Sequence, residues 1–157
     1  RLSLQSANYG RPLPAIKTGP MADLILLKRQ AQAAGFDDVL LINRQGCISE
    51  ASTANIFLIR NGTLQTPEPN RDGCLPGITR LQVLQAASQS GFTTETGQPL
   101  PLALAKQAEG AFLCNAALGI VPVRRIDDTP LPWPASAQAL LETLQERLSL
   151  MQPQPNG

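Results

Sequence analysis

The sequence contains no histidine, and it has few aromatic residues, three lysines and three cysteines. The absence of histidine excludes Ser-His and Cys-His catalytic pairs and most transition-metal sites, so no metal centre is expected. Cys47, Cys74 and Cys114 are odd in number and lack CxxC spacing, which indicates neither a disulfide framework nor a zinc site. Any chemistry must therefore use lysine, carboxylate or hydroxyl groups, or a cofactor.

Long hydrophobic runs and an excess of one charge are also missing. No apolar stretch approaches the roughly 18 residues of a membrane span, and the formal net charge is +1. Without a basic stripe, nucleic acid is not an expected partner. With 43% hydrophobic and 16% charged residues in 157 positions, the composition predicts one soluble globular domain, and we expect a reducing cytoplasm. Because the chain begins at Arg1 without a signal peptide, we expect a fragment or a processed product.

Apolar residues recur at helical spacing in several segments. Gly35 follows one of these segments and is a typical helix stop. The motif Leu75-Pro-Gly-Ile-Thr-Arg leads into another predicted helix, which Gly91 ends. Ser136 is a suitable N-cap for a last helix, whose buried side would carry Leu140, Leu141, Leu144 and Leu148. The predicted helices cover residues 21–34, 78–90 and 101–109 and a final segment from residue 136.

Alternating apolar residues between turn signals predict short strands. The strongest turn signal is Asn61-Gly62, which indicates a hairpin of Asn55–Arg60 with residues 63–66. A second predicted hairpin pairs residues 39–42 with residues 47–50. Further strands are expected at residues 2–4, 92–96, 111–114 and 120–126. These elements indicate a mixed α+β class with mostly antiparallel pairing.

Lysine can form an imine with an aldehyde cofactor, and it becomes a base where desolvation or nearby charge lowers its pKa. Lys28 and Lys106 lie on predicted helices, where we expect them to be solvated. Lys17 differs because it follows Ala15-Ile16 and precedes Thr18-Gly19 at the start of a helix. Its position indicates a candidate reactive lysine, although an ordinary surface lysine remains an alternative on the residues alone.

Three further motifs carry groups suited to a cofactor. Glu50 ends an apolar strand, and a carboxylate there could keep a pyridinium nitrogen protonated, or could simply be solvated. Gly77-Ile78-Thr79-Arg80 opens a predicted helix, whose first amides and threonine hydroxyl could bind phosphate. The turn Asn115-Ala-Ala-Leu-Gly could supply a second set of amides. On the residues alone, Pro76-Gly77 before the predicted helix could also be just a turn that starts a helix.

The order of these motifs resembles the class IV aminotransferase and aminodeoxychorismate lyase family, which uses pyridoxal phosphate. The resemblance runs from Ile16 to Asp127. Its motifs are Ile16-Lys-Thr-Gly, Gly35-Phe-Asp-Asp-Val-Leu-Leu-Ile-Asn, Ile48-Ser-Glu-Ala-Ser-Thr-Ala-Asn-Ile-Phe, Leu64-Gln-Thr-Pro, Leu75-Pro-Gly-Ile-Thr-Arg and Phe112-Leu-Cys-Asn-Ala-Ala-Leu-Gly-Ile-Val-Pro-Val.

The resemblance implies a role for each motif. Lys17 would bind the cofactor covalently and act as the base, and Glu50 would pair with the pyridine nitrogen. Gly77, Ile78 and Thr79 would bind the phosphate, and Asn115 and Ala116 would complete the region of the phosphate and the substrate carboxylate.

The resemblance also implies a domain organisation. Residues 1–150 correspond to the second, carboxy-terminal domain of the family, an α+β pseudo-barrel with flanking helices, and residues 151–157 would be a disordered tail. The preceding domain, with an arginine that members usually supply to the phosphate, is not in this chain. The family further implies a homodimer that binds a small-molecule amine.

The activity within the family depends on the substrate loop. The run from Leu113 to Val123 resembles aminodeoxychorismate lyases more than branched-chain aminotransferases. We therefore expect elimination of pyruvate from 4-amino-4-deoxychorismate to give 4-aminobenzoate, a step of folate biosynthesis. The alternatives are a branched-chain or D-amino-acid aminotransferase of the same family and a non-catalytic domain that retains the fold.

Overall fold

The computed structural model describes residues 1–10 and 22–151. Within these residues, nine strands form one mixed sheet that curls into a half-barrel, and five helices flank it. The strands are β1 (Leu2–Asn8), β2 (Asp38–Ile42), β3 (Ile48–Ala51), β4 (Asn55–Arg60), β5 (Thr63–Gln65), β6 (Thr93–Glu95), β7 (Gly110–Asn115), β8 (Gly119–Ile126) and β9 (Thr129–Pro130). The helices are α1 (Ala22–Ala33), α2 (Pro69–Asp72), α3 (Ile78–Gln89), α4 (Leu102–Ala105) and α5 (Ala135–Met151).

The strand order is β3-β2-β1-β8-β7-β4-β5-β6, with β9 paired to β8. Both predicted hairpins are present, since β2 pairs antiparallel with β3 and β4 pairs antiparallel with β5. Parallel pairing occurs where β1 lies between β2 and β8 and where β6 joins β5. The expected α+β class, with a mostly antiparallel mixed sheet, is confirmed.

The two faces of the sheet bury different hydrophobic clusters because side chains alternate along each strand. In β4, Ile56 and Leu58 pack into the cluster on one face of the sheet. Phe57 and Ile59 point to the other face, where α3 and α5 cover them. Phe57 stacks on Phe112 of β7 with ring centroids 5.1 Å apart. The central strands are therefore buried on both sides, which explains why their sequences are almost continuously apolar.

Helix α5 differs from the prediction at its start. It begins at Ala135, and the amide of Gln138 donates to the carbonyl of Pro134, so Ser136 lies inside the first turn and the predicted Ser136 cap is wrong. The predicted leucine face is confirmed, because all four leucines are buried. The helix ends at Met151, one residue beyond the predicted boundary, and the predicted tail otherwise lies outside the described residues.

Two other element boundaries differ from the prediction, because hydrogen bonds within the sheet override the local sequence pattern. The predicted strand at residues 2–4 extends to Asn8, because β1 pairs with β2 from Leu4 to Asn8. The helix predicted at residues 101–109 is shorter and corresponds to α4. The amide of Glu109 instead donates to the carbonyl of Ile59, and the chain then continues into β7. Helix α2 and strand β9 were not predicted. No helix within the described ranges has both the length and the hydropathy of a membrane span.

Candidate active site

A cavity of about 310 Å³ lies where the β3–β4 turn, the start of α3 and the β7–β8 turn meet. Its size falls within the range of about 300–1,000 Å³ that is common for small-ligand sites. Among the residues predicted for the site, those that line this cavity are Glu50, Gly77, Ile78, Thr79, Asn115 and Ala116. Lys17 lies outside the described residues, but Leu24 of α1, seven positions later in the chain, also lines the cavity.

Glu50 is the carboxylate of the cavity. It lies in β3, one residue before the strand ends, and is only 3% exposed. Its Oε2 accepts a hydrogen bond of 2.9 Å from the backbone amide of Leu75. The alternative of a solvated strand-end carboxylate is therefore wrong, because the loop before α3 folds over the side chain. A buried carboxylate needs such hydrogen bonds to offset its lost hydration.

The start of α3 supplies donors to the same cavity. Gly77 is its N-cap, and no side chain of the described residues caps the helix. The first intrahelical bond runs from the amide of Leu81 to the carbonyl of Gly77, so the amides of the first turn have no acceptor inside the helix. Ile78 and Thr79 belong to this turn and line the cavity. Unpaired amides at the positive end of the helix dipole form a suitable anion site.

The turn after β7 contributes less than its sequence predicts. Asn115 Oδ1 accepts hydrogen bonds from the amides of Ala117 at 3.0 Å and Leu118 at 2.7 Å. These two amides are therefore bound within the turn and are not available to a ligand. Of the expected set, Ala116 still lines the cavity. Asn115 Nδ2 donates to the carbonyl of Thr53 at 3.2 Å, which ties this turn to the β3–β4 turn.

The two described lysines lie away from the cavity and form ion pairs. Lys28 Nζ is 3.2 Å from Asp38 Oδ2, and Lys106 Nζ is 2.8 Å from Asp127 Oδ2. Each is partly buried rather than fully solvated, contrary to the expectation for both side chains. Since neither lines the cavity, Lys17 stays the candidate for a reactive lysine.

The sequence did not single out several other residues of the cavity. Ser52 and Asn55 lie at the β3–β4 turn and are both buried, and Leu75 precedes α3. All three lie inside the motifs that resemble the family, but no role followed from the residues themselves. Among the described residues, Ser52 Oγ is buried without a hydrogen-bond partner. An unsatisfied buried hydroxyl is uncommon in native proteins and often marks a ligand site.

Cys114 also lines the cavity, but its thiol is unsuited to nucleophilic chemistry. Burial raises its pKa to about 12, although the positive charge of Arg80 acts in the opposite direction. Since the thiolate is the reactive form, a packing role suits this side chain. All three are buried free thiols. Within residues 1–10 and 22–151, no group of three or more acidic or sulfur side chains could hold a metal ion.

Known proteins match both the sequence and the fold. The family model described as "Amino-transferase class IV" matches residues 1–126. A "Probable branched-chain-amino-acid aminotransferase" of Synechocystis is 38% identical over 106 residues, which are 68% of this chain and 34% of that protein. A Legionella pneumophila structure named "Putative 4-amino-4-deoxychorismate lyase" has 31% identity and a TM-score of 0.84, over 93% of this chain and 56% of that one.

A third match shows the fold alone. The structure named "A hypothetical aminotransferase from Mycobacterium tuberculosis, PLP-bound form" has 21% identity and a TM-score of 0.85, over 96% of this chain and 56% of that one. The chain therefore spans about a third of the length of the curated relative and about half of the length of these solved structures.

Proposed function

This chain belongs to the class IV aminotransferase family, whose members use pyridoxal phosphate, and we propose that it forms the cofactor-binding part of an aminotransferase acting on branched-chain amino acids. One observation carries the proposal. The buried carboxylate of Glu50 and the uncapped start of α3 line the same cavity. These are the two chemical features that a protonated pyridine ring bearing a phosphate requires.

The names of the relatives favour transamination over elimination, the reaction that the sequence motifs predict. Besides the Synechocystis protein, curated relatives with 30–37% identity are also named branched-chain-amino-acid aminotransferases. The expectation of a lyase depended on one run between Leu113 and Val123. Ala117 and Leu118 of this run donate to Asn115, so part of the run serves the turn itself. Its residues are therefore weaker evidence for a substrate than the names of these relatives.

The residues present fit the cofactor. Ser52 Oγ is a buried donor with no partner among the described residues, beside a cavity of suitable size. Ile78 and Thr79 at the start of α3 line the same cavity and would place their amides beside a phosphate group. Glu50 is buried, so its negative charge would act strongly on a nearby ring nitrogen.

Each residue would then have a distinct task. Pyridoxal phosphate, when bound, supplies an electron sink that stabilises negative charge on the substrate carbon. Glu50 would hold a proton on the ring nitrogen, and the amides of Ile78 and Thr79 together with the hydroxyl of Thr79 would bind the phosphate. Lys17 would hold the cofactor and move a proton at the substrate carbon. Asn115 and Ala116 would line the region of the substrate carboxylate.

Elimination is the second candidate function. It is supported by the 31% identity and the TM-score of 0.84 to the Legionella structure, and by the run from Leu113 to Val123. In this reaction Lys17 would remove a proton from the ring carbon of aminodeoxychorismate. Elimination needs no amino-group acceptor, whereas transamination requires a keto acid. An assay without a keto acid therefore distinguishes the two reactions.

The deciding experiment uses the purified full-length protein with pyridoxal phosphate. We expect turnover of leucine, isoleucine or valine that depends on an added keto acid. Release of 4-aminobenzoate and pyruvate from aminodeoxychorismate without a keto acid would instead establish the lyase. A protein that shows no cofactor absorbance and neither activity would be a non-catalytic domain that retains the fold.

We further propose a homodimer, as is typical of the family, that binds a small-molecule amine as substrate. Light scattering of the full-length protein measures this directly. A mass equal to one chain at micromolar concentration would contradict the proposal.

A further inference from the structure

The loop Leu75–Gly77, which leads into α3, is held by two buried side chains. Glu50 Oε2 accepts a hydrogen bond of 2.9 Å from the Leu75 amide, and Asn55 Nδ2 donates to the Leu75 carbonyl at 2.8 Å. The amide of Gly77 also donates to that carbonyl at 2.9 Å. Both polar groups of Leu75 are thus bound, so the entry of the chain into α3 is fixed from two sides.

Asn55 also occupies the space beside Gly77. Gly77 has a φ of −65° and a ψ of 142°, which any residue can adopt, so the backbone conformation does not require glycine. The requirement is steric, because a Cβ on Gly77 would overlap Asn55 Oδ1. The hydrogen bond from Nδ2 to Leu75 determines this orientation, since it directs Oδ1 toward Gly77.

The contact between Asn55 and Gly77 affects the first backbone amides of α3. A serine, threonine or aspartate at an N-cap normally accepts a hydrogen bond from the second or third amide of its helix. Here the Asn55 side chain fills the space that such a cap would use, and α3 has no side-chain cap within residues 1–10 and 22–151. The amides of Ile78 and Thr79 therefore stay available to a ligand in the cavity.

Asn55 connects this helix start to the other turn of the cavity. It is the first residue of β4 and pairs with Cys114 of β7. The next residue, Asn115, begins the turn that carries Ala116. One buried side chain, 7% exposed, thus links the α3 start to the strand pair from which the second turn projects.

We propose that Asn55 is a positioning residue that holds the α3 amides for the phosphate of the ligand. The identity of the ligand rests on the proposed function. Asn55 acts through Leu75 and Gly77, so its loss weakens recognition of the phosphate while recognition of the rest of the ligand is retained. Thr79 and the first amides of α3 contact the phosphate, and Asn55 fixes where they lie.

The test compares pyridoxal 5′-phosphate with pyridoxal, which lacks the phosphate, on the full-length protein. Dissociation constants of both aldehydes are measured by absorbance titration for wild type, Asn55→Ala and the control Asn70→Ala, an exposed asparagine of α2. We expect Asn55→Ala to weaken binding of the phosphate ester roughly tenfold, as for one lost hydrogen bond to a charged group, and to leave pyridoxal binding within about twofold. Asn70→Ala should change neither constant.

The outcomes separate the inference from the proposed function. If wild type binds the phosphate ester no better than pyridoxal, the proposed function is contradicted, and the inference with it. If wild type prefers pyridoxal 5′-phosphate over pyridoxal and Asn55→Ala keeps the same preference, the inference alone is wrong. The same holds if Asn55→Ala weakens binding of both aldehydes to the same degree.

A double-mutant cycle tests the steric contact without any ligand. Gly77→Ala should lower the unfolding midpoint of wild type clearly, and lower that of Asn55→Ala much less, because the truncated side chain leaves space for the added Cβ. Equal shifts in both backgrounds would contradict the contact between these residues.

Discussion

Glu50 Oε2 and the amide of Leu75 are joined by a hydrogen bond of 2.9 Å, which connects strand β3 to the loop before α3. The carboxylate proposed for the ring nitrogen therefore also holds the loop that leads to the proposed phosphate site. Its two tasks depend on different properties, since the loop needs an acceptor oxygen and the ring needs a negative charge. Substitutions that remove one property at a time can separate them.

Glu50→Gln should retain an acceptor for Leu75 but lose the charge. We expect its affinity for pyridoxal phosphate to stay within about threefold, while kcat falls by a factor of about 100 or more because the ring nitrogen loses its proton. Glu50→Ala should lose both affinity and kcat, since the loop is released as well. Titration and steady-state kinetics measure the two effects. A normal kcat in Glu50→Gln would contradict the role of the carboxylate.

Lys17→Ala should abolish covalent attachment of the cofactor. Borohydride reduction followed by peptide mapping should label Lys17 in wild type and no lysine in the variant. Lys28→Ala is the matched control, because Lys28 is paired with Asp38 outside the cavity. Labelling of Lys28 or Lys106 in the wild type would refute the assignment of Lys17.

Asp127 should stabilise the fold in a pH-dependent manner. Its carboxylate accepts hydrogen bonds from the amide and hydroxyl of Ser6 and contacts Lys106. Burial alone would raise its pKa, but the bonds from Lys106 and Ser6 outweigh burial and lower the pKa below the ordinary 3.8. A lowered folded-state pKa means that the stabilisation is present above about pH 4 and is lost as the pH falls through the folded-state value.

Asp127→Asn should therefore lower the free energy of unfolding by about 1–2 kcal/mol at pH 7. Asparagine tolerates the positive φ of 49° at this position, so backbone strain does not add to the effect. Urea unfolding of Asp127→Asn and of the exposed control Asp128→Asn measures the difference. We expect it to shrink below the folded-state pKa. An equal loss at pH 7 and in strong acid would show that the charge is not responsible.

Cys74 and Cys114 should resist thiol reagents in the folded protein. Burial raises the pKa of each to about 12 from an ordinary value of 9.0, which lowers the thiolate fraction at pH 8 roughly a thousandfold. A chromogenic disulfide reagent should modify both only after denaturant is added. Rapid modification of Cys114 in the native protein, identified by mass spectrometry, would contradict its assignment to packing.

The sequence alone determined the local elements and the candidate residues. Helical spacing of apolar residues predicted α1, and the start and stop signals around residues 78–90 predicted α3. Asn61-Gly62 predicted the β4–β5 hairpin, because all these signals depend on neighbours in the chain. The sequence motifs also contain the six described candidate residues, which line one cavity. These residues could be predicted from the sequence because each motif combines a turn or strand end with a polar group.

Only the tertiary structure decided what depends on distant contacts. The parallel pairing of β1 with β2 and β8 joins segments more than 30 residues apart, and no local pattern specifies it. The same holds for the burial of Glu50 beneath Leu75 and for the contact of Asn55 with Gly77. Burial and steric exclusion arise from segments that meet only when the chain folds, so a sequence can name such residues but cannot show what each one contacts.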